Sequence, residues 1–237
     1  MINVICTSNF NELDQIRESV QKLGYKFKHK PLIEIELINL SKESVKRIIE
    51  SNICIFQSKN AATHASEHHN LYNKDKDYYA VGGFTAKSVE ASIQVDCKYP
   101  KNNYSSKNLI EEYDLKDIEN KKIVVLKGEG GLQTIKESLE EKNIVHEIIT
   151  YKRKINENAI NPRDFDSESL NIIICMSQDA LKSLCMNYYE TIKNSDVILI
   201  VPNERFISEN VRIFREVYTL KSLEYKKEIL SIIQNTQ

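Results

Sequence analysis

The chain has 237 residues, of which 41% are hydrophobic and 28% charged; 33 basic side chains face 34 acidic ones for a formal net charge of −1. Such a chain can bury a real core and is not a disordered tail, and its length suits one large or two small domains. Neutrality leaves no global field to steer it onto nucleic acid or an anionic membrane, so an anionic ligand has to be held by a local site.

Strand-like runs alternate with helix-like ones from end to end. Residues 2–6 are an apolar run, and residues 10–23 then place Leu13, Ile16, Val20 and Leu23 at helical spacing before Gly24. The same order predicts strands at 53–56 and 79–81, each with a helix after it, at 61–69 and 85–93. It continues with a strand at 123–126 and a helix at 132–141, then 172–175 with 179–189, and 197–201 with 204–214. Strands that are apolar throughout are buried on both faces, so the fold class is α/β, with parallel sheets flanked by helices. A shift of 119 residues aligns the two halves: Leu13, Ile16, Glu18 and Ser19 meet Leu132, Ile135, Glu137 and Ser138, while Asn52, Ile53, Ser58 and Ala61 meet Asn171, Ile172, Ser177 and Ala180. Two similar units predict a cleft between them, lined by loops at the carboxyl ends of strands, where helix N-termini attract anions.

Average usage would give about 17 glycines in this length; the chain has six, and five of them are Gly82, Gly83, Gly128, Gly130 and Gly131. Those two loops are read either as turns or as backbone brought close to a ligand. The strand-end loops also carry Ser58, Lys59, Asn60, Thr85, Lys127, Ser177, Gln178, Asn203 and Arg205. Each of the polar residues serves equally well as an N-cap or as a ligand contact.

Several sharper readings fall away. The loop at residues 128–131 lacks the third glycine of a dinucleotide fingerprint, since Gln133 stands there, and no P-loop sequence occurs. His64 and His68 have the spacing of a metal pair without a third ligand nearby, and no metal or cofactor is expected. Ser58 and Ser177 lack the G-x-S-x-G setting of a nucleophile. The five cysteines contain no C-x-x-C pair and read as reduced, buried thiols. No apolar run has the length of a membrane span and no signal-peptide pattern opens the chain, so a cytoplasmic protein is expected.

In series, these segments resemble the uroporphyrinogen-III synthase family. Pro31-Leu32-Ile33-Glu34-Ile35 is similar to its "P-L-I-x-I", Phe56-Gln57-Ser58-Lys59-Asn60-Ala61 to "F-x-S-x-N-A", and Ala80-Val81-Gly82-Gly83-Phe84-Thr85-Ala86 to "A-V-G-x-x-T-A". Leu126-Lys127-Gly128-Glu129-Gly130-Gly131 resembles "L-R-G-x-G-G", Tyr151-Lys152-Arg153 "Y-x-R", and Val201-Pro202-Asn203-Glu204-Arg205 "V-x-S-E-R". The chain departs from the family at Ser8 and Leu132, where cations are expected, at Lys127, where the cation is changed, and at Asn203.

The resemblance implies two similar α/β domains, residues 1–34 with 153–237 and residues 35–152, joined by a two-stranded connector with the active-site cleft between them. It implies a monomeric lyase that closes the linear tetrapyrrole hydroxymethylbilane, a polycarboxylate, into uroporphyrinogen III with ring D inverted and water lost. No cofactor, nucleic acid or membrane partner is implied. Tyr151 becomes the candidate catalyst, or a connector tyrosine packed for shape. Ser58, Lys59, Asn60, Gly82, Thr85, Lys127, Gly128, Ser177, Gln178, Asn203 and Arg205 become candidate substrate contacts. A two-domain binding or sensor protein for an anionic small molecule, or a nucleotide-dependent transferase, would use the same loops.

Overall fold

The computed structural model describes every residue except Asn11, Asn102, Ser222, Leu223 and Gln237. The chain starts with β1 (Ile2–Cys6), α1 (Leu13–Lys22) and β2 (Lys26–His29), then enters β3 (Ile33–Leu37). It continues with α2 (Lys42–Glu50), β4 (Ile53–Phe56), α3 (Lys59–Glu67), β5 (Asp77–Ala80), α4 (Gly83–Ile93), α5 (Ser106–Glu112), β6 (Lys122–Gly128), α6 (Thr134–Leu139) and β7 (Ile144–Ile155). It closes with β8 (Leu170–Ile174), α7 (Gln178–Asn187), α8 (Tyr189–Lys193), β9 (Val197–Val201), β10 (Glu216–Thr219) and α9 (Tyr225–Asn235). Two compact units result: Met1–Glu34 with Lys154–Gln237, and Ile35–Arg153.

The first unit holds a sheet ordered β10-β9-β8-β1-β2, parallel throughout. Every residue of β1 and β9 is buried, because helices cover both faces of the sheet. On one side α1 and α9 pack Ile16, Val20, Ile229 and Ile233 onto Val4, Ile172 and Ile198; on the other, α7 sets Leu181 and Leu184 against Ile5, Ile173 and Leu199. The second unit's sheet is ordered β3-β7-β6-β4-β5, and its β7, β6, β4 and β5 run parallel. Strand β3 runs against β7, since Asn156 N–H reaches the Leu32 carbonyl at 2.9 Å while Ile38 N–H reaches that of Thr150, also at 2.9 Å. The chain passes between the units within these two strands.

The 119-residue shift carries β6, β7, β4 and β5 onto the positions of β1, β2, β8 and β9, and the two sheets place those strands in the same order. Each sheet therefore combines the first part of one copy with the later part of the other. The match fails over residues 204–214. Where the sequence predicts a single helix, the chain makes two 3₁₀ turns, Glu204–Phe206 and Glu209–Ile213. Phe206 and Val211 are both buried. Five residues apart they would sit about 140° apart on an α-helix, so one helix cannot bury both. The fold adds α2, α5, β10 and α9 to the elements that the sequence predicts.

All five cysteines are buried free thiols; burial pushes Cys6 up to about 12 and Cys54 up to about 11, so both stay protonated at neutral pH. His64 is buried as well, with Nε2 2.8 Å from the Ile38 carbonyl. Among the described residues no helix is long and apolar enough to cross a membrane.

Edge strand β2 carries Lys26 and Lys28, with Lys30 just beyond. Lys28 and Lys30 lie 3.5 and 3.0 Å from the buried carboxylate of Asp164, which also accepts the Asn161 N–H at 2.9 Å. Burial alone would raise the Asp164 pKa, but the Asn161 amide and the two lysines outweigh it and the net shift is downward. A depressed carboxyl pKa stabilises the fold above the unfolded value of about 3.9 and ceases to do so as pH falls through the folded value. Asp164→Asn should therefore cost about 1–2 kcal/mol at pH 7. The gap in Tm from the parent protein should close as melts are taken from pH 4 towards pH 2.5; a constant gap would mean that the carboxylate charge is not what stabilises.

Candidate active site

In the second unit, β4, β5 and β6 end side by side, and the loops that follow frame a cavity of about 470 Å³. Its walls include Gln57, Ser58, Val81, Tyr104, Tyr151 and Arg153, together with the glycine loop Gly128, Gly130 and Gly131 and the neighbouring Leu132. All of these belong to residues 35–153.

Tyr151 reaches this cavity through an irregularity in the β6–β7 ladder. Val124 and Leu126 of β6 and Ile148 of β7 share one face of the sheet. Side chains alternate along a strand, so the next β7 residue on that face after Ile148 should be Thr150. The register slips, however: Lys127 pairs with Ile149 and Gly128 with Tyr151, leaving Thr150 as the extra residue, its hydroxyl 3.2 Å from the Lys127 carbonyl. The slip turns Tyr151 onto the face of Ile148 and the α3 and α4 alanines.

The Tyr151 side chain is 2% exposed. Ser58, between β4 and α3, accepts the Ala61 N–H at 3.2 Å as the α3 N-cap and directs its own hydroxyl to the Tyr151 oxygen at 3.0 Å. The phenol oxygen thus accepts a hydrogen bond from Ser58 and, among the described residues, donates none of its own. The Arg153 guanidinium carbon lies 5.8 Å from the Tyr151 ring centre, within cation–π range. Gly128 is what lets the ring approach β6 so closely: a Cβ there would collide with Cζ of Tyr151, 2.6 Å from Cε2 and 2.7 Å from the hydroxyl oxygen.

Lys127 does something other than line the cavity. It is buried, its ammonium 2.6 Å from Glu147 and 2.9 Å from the Leu132 carbonyl. Gln57 Nε2 meets the same carbonyl at 3.1 Å. The lysine charge is matched by Glu147, and the pair ties the glycine loop to β7. A buried ion pair of this kind fixes geometry more than it adds stability, although removing one partner alone is costly.

The remaining candidates divide by position. Lys59 is exposed and Asn60 half-buried in the first turn of α3, while Gly82 caps α4 and Thr85 is buried in its first turn; none of these four lines the cavity. Ser177, Gln178, Asn203 and Arg205 belong to the first unit. There Ser177 caps α7 through the Ala180 N–H at 3.4 Å, and Asn203 accepts the Arg205 N–H at 3.0 Å. Gln178 Nε2 lies 3.5 Å from the Arg205 carbonyl, so these four form one cluster. Ser8, at a position where the family has a cation, is buried and accepts the Met176 N–H at 3.0 Å. Leu132, at the other such position, is 72% exposed. Ser58 and Ser177, equivalent under the 119-residue shift, make equivalent caps.

Gln57, Tyr104, Ser105, Ser106 and Arg153 line the cavity without having been singled out. Arg153 could have been, since it follows Tyr151 by two and so stays on the same strand face. Tyr104 carried no periodic signal.

A family model described as "Uroporphyrinogen-III synthase HemD" matches residues 14–201. A uroporphyrinogen-III synthase of Proteus mirabilis is 26% identical over 148 residues, which are 59% of this chain and 74% of that protein. A mutant uroporphyrinogen III synthase of the extremely thermophilic bacterium Thermus thermophilus shares the fold, with a TM-score of 0.59 at 12% identity and 100% of both chains covered.

Proposed function

The chain belongs to the uroporphyrinogen-III synthase family, and from that membership we propose that it closes hydroxymethylbilane to uroporphyrinogen III, with ring D inverted, as a cyclising hydro-lyase. The hydroxymethyl C–O bond breaks and the hydroxide leaves as water with a donated proton. The cationic azafulvene that remains is attacked by the substituted α-carbon of ring D to give a spiro intermediate. The bond from that carbon to its original methylene bridge then breaks to a second azafulvene, which bonds to the free α-carbon of the turned ring D, and loss of a proton there leaves one water as the net loss.

The linear substrate closes unaided to the uninverted type I isomer. The enzyme's task is to hold a flexible polycarboxylate in the conformers that lead to inversion, so most of its effect is positioning. Tyr151 is the proton donor to the departing hydroxyl. The observation that carries this role is the hydrogen bond it receives from Ser58, 3.0 Å away, which leaves the phenol proton directed elsewhere. Ser58 orients that phenol, and the glycine loop at Gly128 is the substrate contact of the second unit that lines the cavity. Lys59 and Asn60, in the first turn of α3, are contacts for substrate carboxylates that extend beyond it, whereas Gly82 and Thr85 are buried and shape the start of α4. Ser177, Gln178, Asn203 and Arg205 are those of the first. The Lys127 side chain supports the glycine loop through Glu147 and the Leu132 carbonyl, so its part in binding is to hold that loop in place.

Incubation with freshly made hydroxymethylbilane, followed by separation of the isomers, tests the reading. The type III fraction should exceed the spontaneous background. A fraction equal to background, with tetrapyrrole still bound, would make the chain a binding protein instead.

A further inference from the structure

We propose that Tyr104 is a binding residue for the tetrapyrrole, presenting a fixed aromatic face on which one pyrrole ring stacks; this rests on the reading above. Its backbone is pinned on both sides. Before it, Pro100 is buried, the Tyr99 carbonyl accepts the Tyr113 hydroxyl at 2.9 Å, and Lys101 N–H meets both Glu112 carboxylate oxygens at 3.1 Å. Asn103 holds a left-handed turn at φ 52°, and Ser105 caps α5 through the Asn108 N–H at 3.1 Å.

The side chain is anchored at its root. Gly82 lies beneath it, and a Cβ on that glycine would stand 3.0 Å from the Tyr104 Cβ and 3.1 Å from its Cγ. The Tyr99 ring meets Tyr104 edge-on at 6.4 Å. Yet Tyr104 is 59% exposed and lines the cavity. An aromatic ring that is fixed but uncovered loses little freedom when another ring is laid on it.

The rest of the wall favours a ring over a carboxylate. Arg153 is the only charged side chain lining the cavity among the described residues, and Leu132, 72% exposed, adds a second apolar surface. The substrate's carboxylates hang from pyrrole rings. A ring face laid on Tyr104 leaves those carboxylates free to reach water or backbone amides.

A tenfold change in affinity, about 1.4 kcal/mol, lies within what stacking on an aromatic side chain supplies. Tyr104→Ala should raise KM about tenfold and change kcat less than twofold, whereas Tyr104→Phe should restore KM. A role confined to packing over Gly82 would lower Tm and leave KM alone, and that result would overturn the proposal. A second readout does not depend on turnover. The chain has no tryptophan, so Tyr104→Trp supplies a single indole. Titration with uroporphyrinogen III under reducing, anaerobic conditions should shift its emission to shorter wavelength and saturate. The indole of Tyr189→Trp, at an exposed position in the first unit, should not respond. An unresponsive indole at 104 in a protein that makes excess type III isomer would sink the stacking role while leaving the proposed function standing. A saturable shift without excess type III would uphold the binding residue and remove the catalysis.

Discussion

Tyr151→Phe is expected to lower the rate of type III formation about a hundredfold, the lower part of the range for a lost general acid, while the fold survives. The phenylalanine ring fills the same slot on Gly128 and keeps the contacts with the α3 and α4 alanines. What disappears is one donor proton and the acceptor for the Ser58 hydroxyl. That hydroxyl still serves the Ala61 N–H as a helix cap, so the stability cost should stay near 1 kcal/mol, a few degrees in Tm. Because unaided closure yields type I, the isomer ratio falls along with the rate. Single-turnover measurements with isomer separation, beside a thermal melt, separate the two effects. A rate equal to that of the parent protein would leave Tyr151 as a packing residue.

Gly128→Ala should be as damaging to turnover and far worse for stability. The added methyl would occupy the space of the Tyr151 ring, and neither group can yield easily: Gly128 is in a strand paired with the tyrosine's own, and the ring is buried among side chains of α3, α4 and β4. Overpacking a filled interior costs about 1–3 kcal/mol, and the ring that has to move is the proposed proton donor. The cause can be isolated in the background of Tyr151→Ala, where the slot is empty. There the second change, Gly128→Ala, should be neutral or slightly stabilising, since alanine has less backbone freedom to lose than glycine. Urea denaturation of the four proteins provides the cycle. Equal costs of Gly128→Ala in both backgrounds would mean that the ring collision is not responsible.

The apolar runs at 53–56 and 123–126 became β4 and β6 because strands covered on both faces write their burial directly into sequence. The 119-residue shift made two similar units legible, while the order of strands within each sheet left no mark in the sequence. Other features depend on geometry that leaves no periodic mark. The slip at Lys127–Gly128 that aims Tyr151 is a single extra residue in an otherwise ordinary strand. Strand alternation alone would have pointed Thr150 at the cavity. The partner of Lys127 is Glu147, on a neighbouring strand 20 residues away, so the sequence shows a cation beside glycines and hides its neutralisation. Scarce glycines in two clusters were legible as places of close approach. What approaches Gly82 and Gly128 is in each case a tyrosine ring of the protein itself.

The pairing of β1 with β8 also sets a timetable. These neighbours are joined from Ile2–Leu170 to Cys6–Ile174, so a ribosome that has released β1 must add more than 160 residues before the partner strand exists. At synthesis rates of about 5–20 residues per second, that interval is roughly 10–30 s. The second unit, drawn from one continuous stretch of chain, can finish folding inside it. Throughout that wait β1 has only β2 beside it; the lysines of β2 are unfavourable neighbours for a foreign strand at the outer edge, while the apolar edge of β1 that will meet β8 stays open to pairing with another nascent chain.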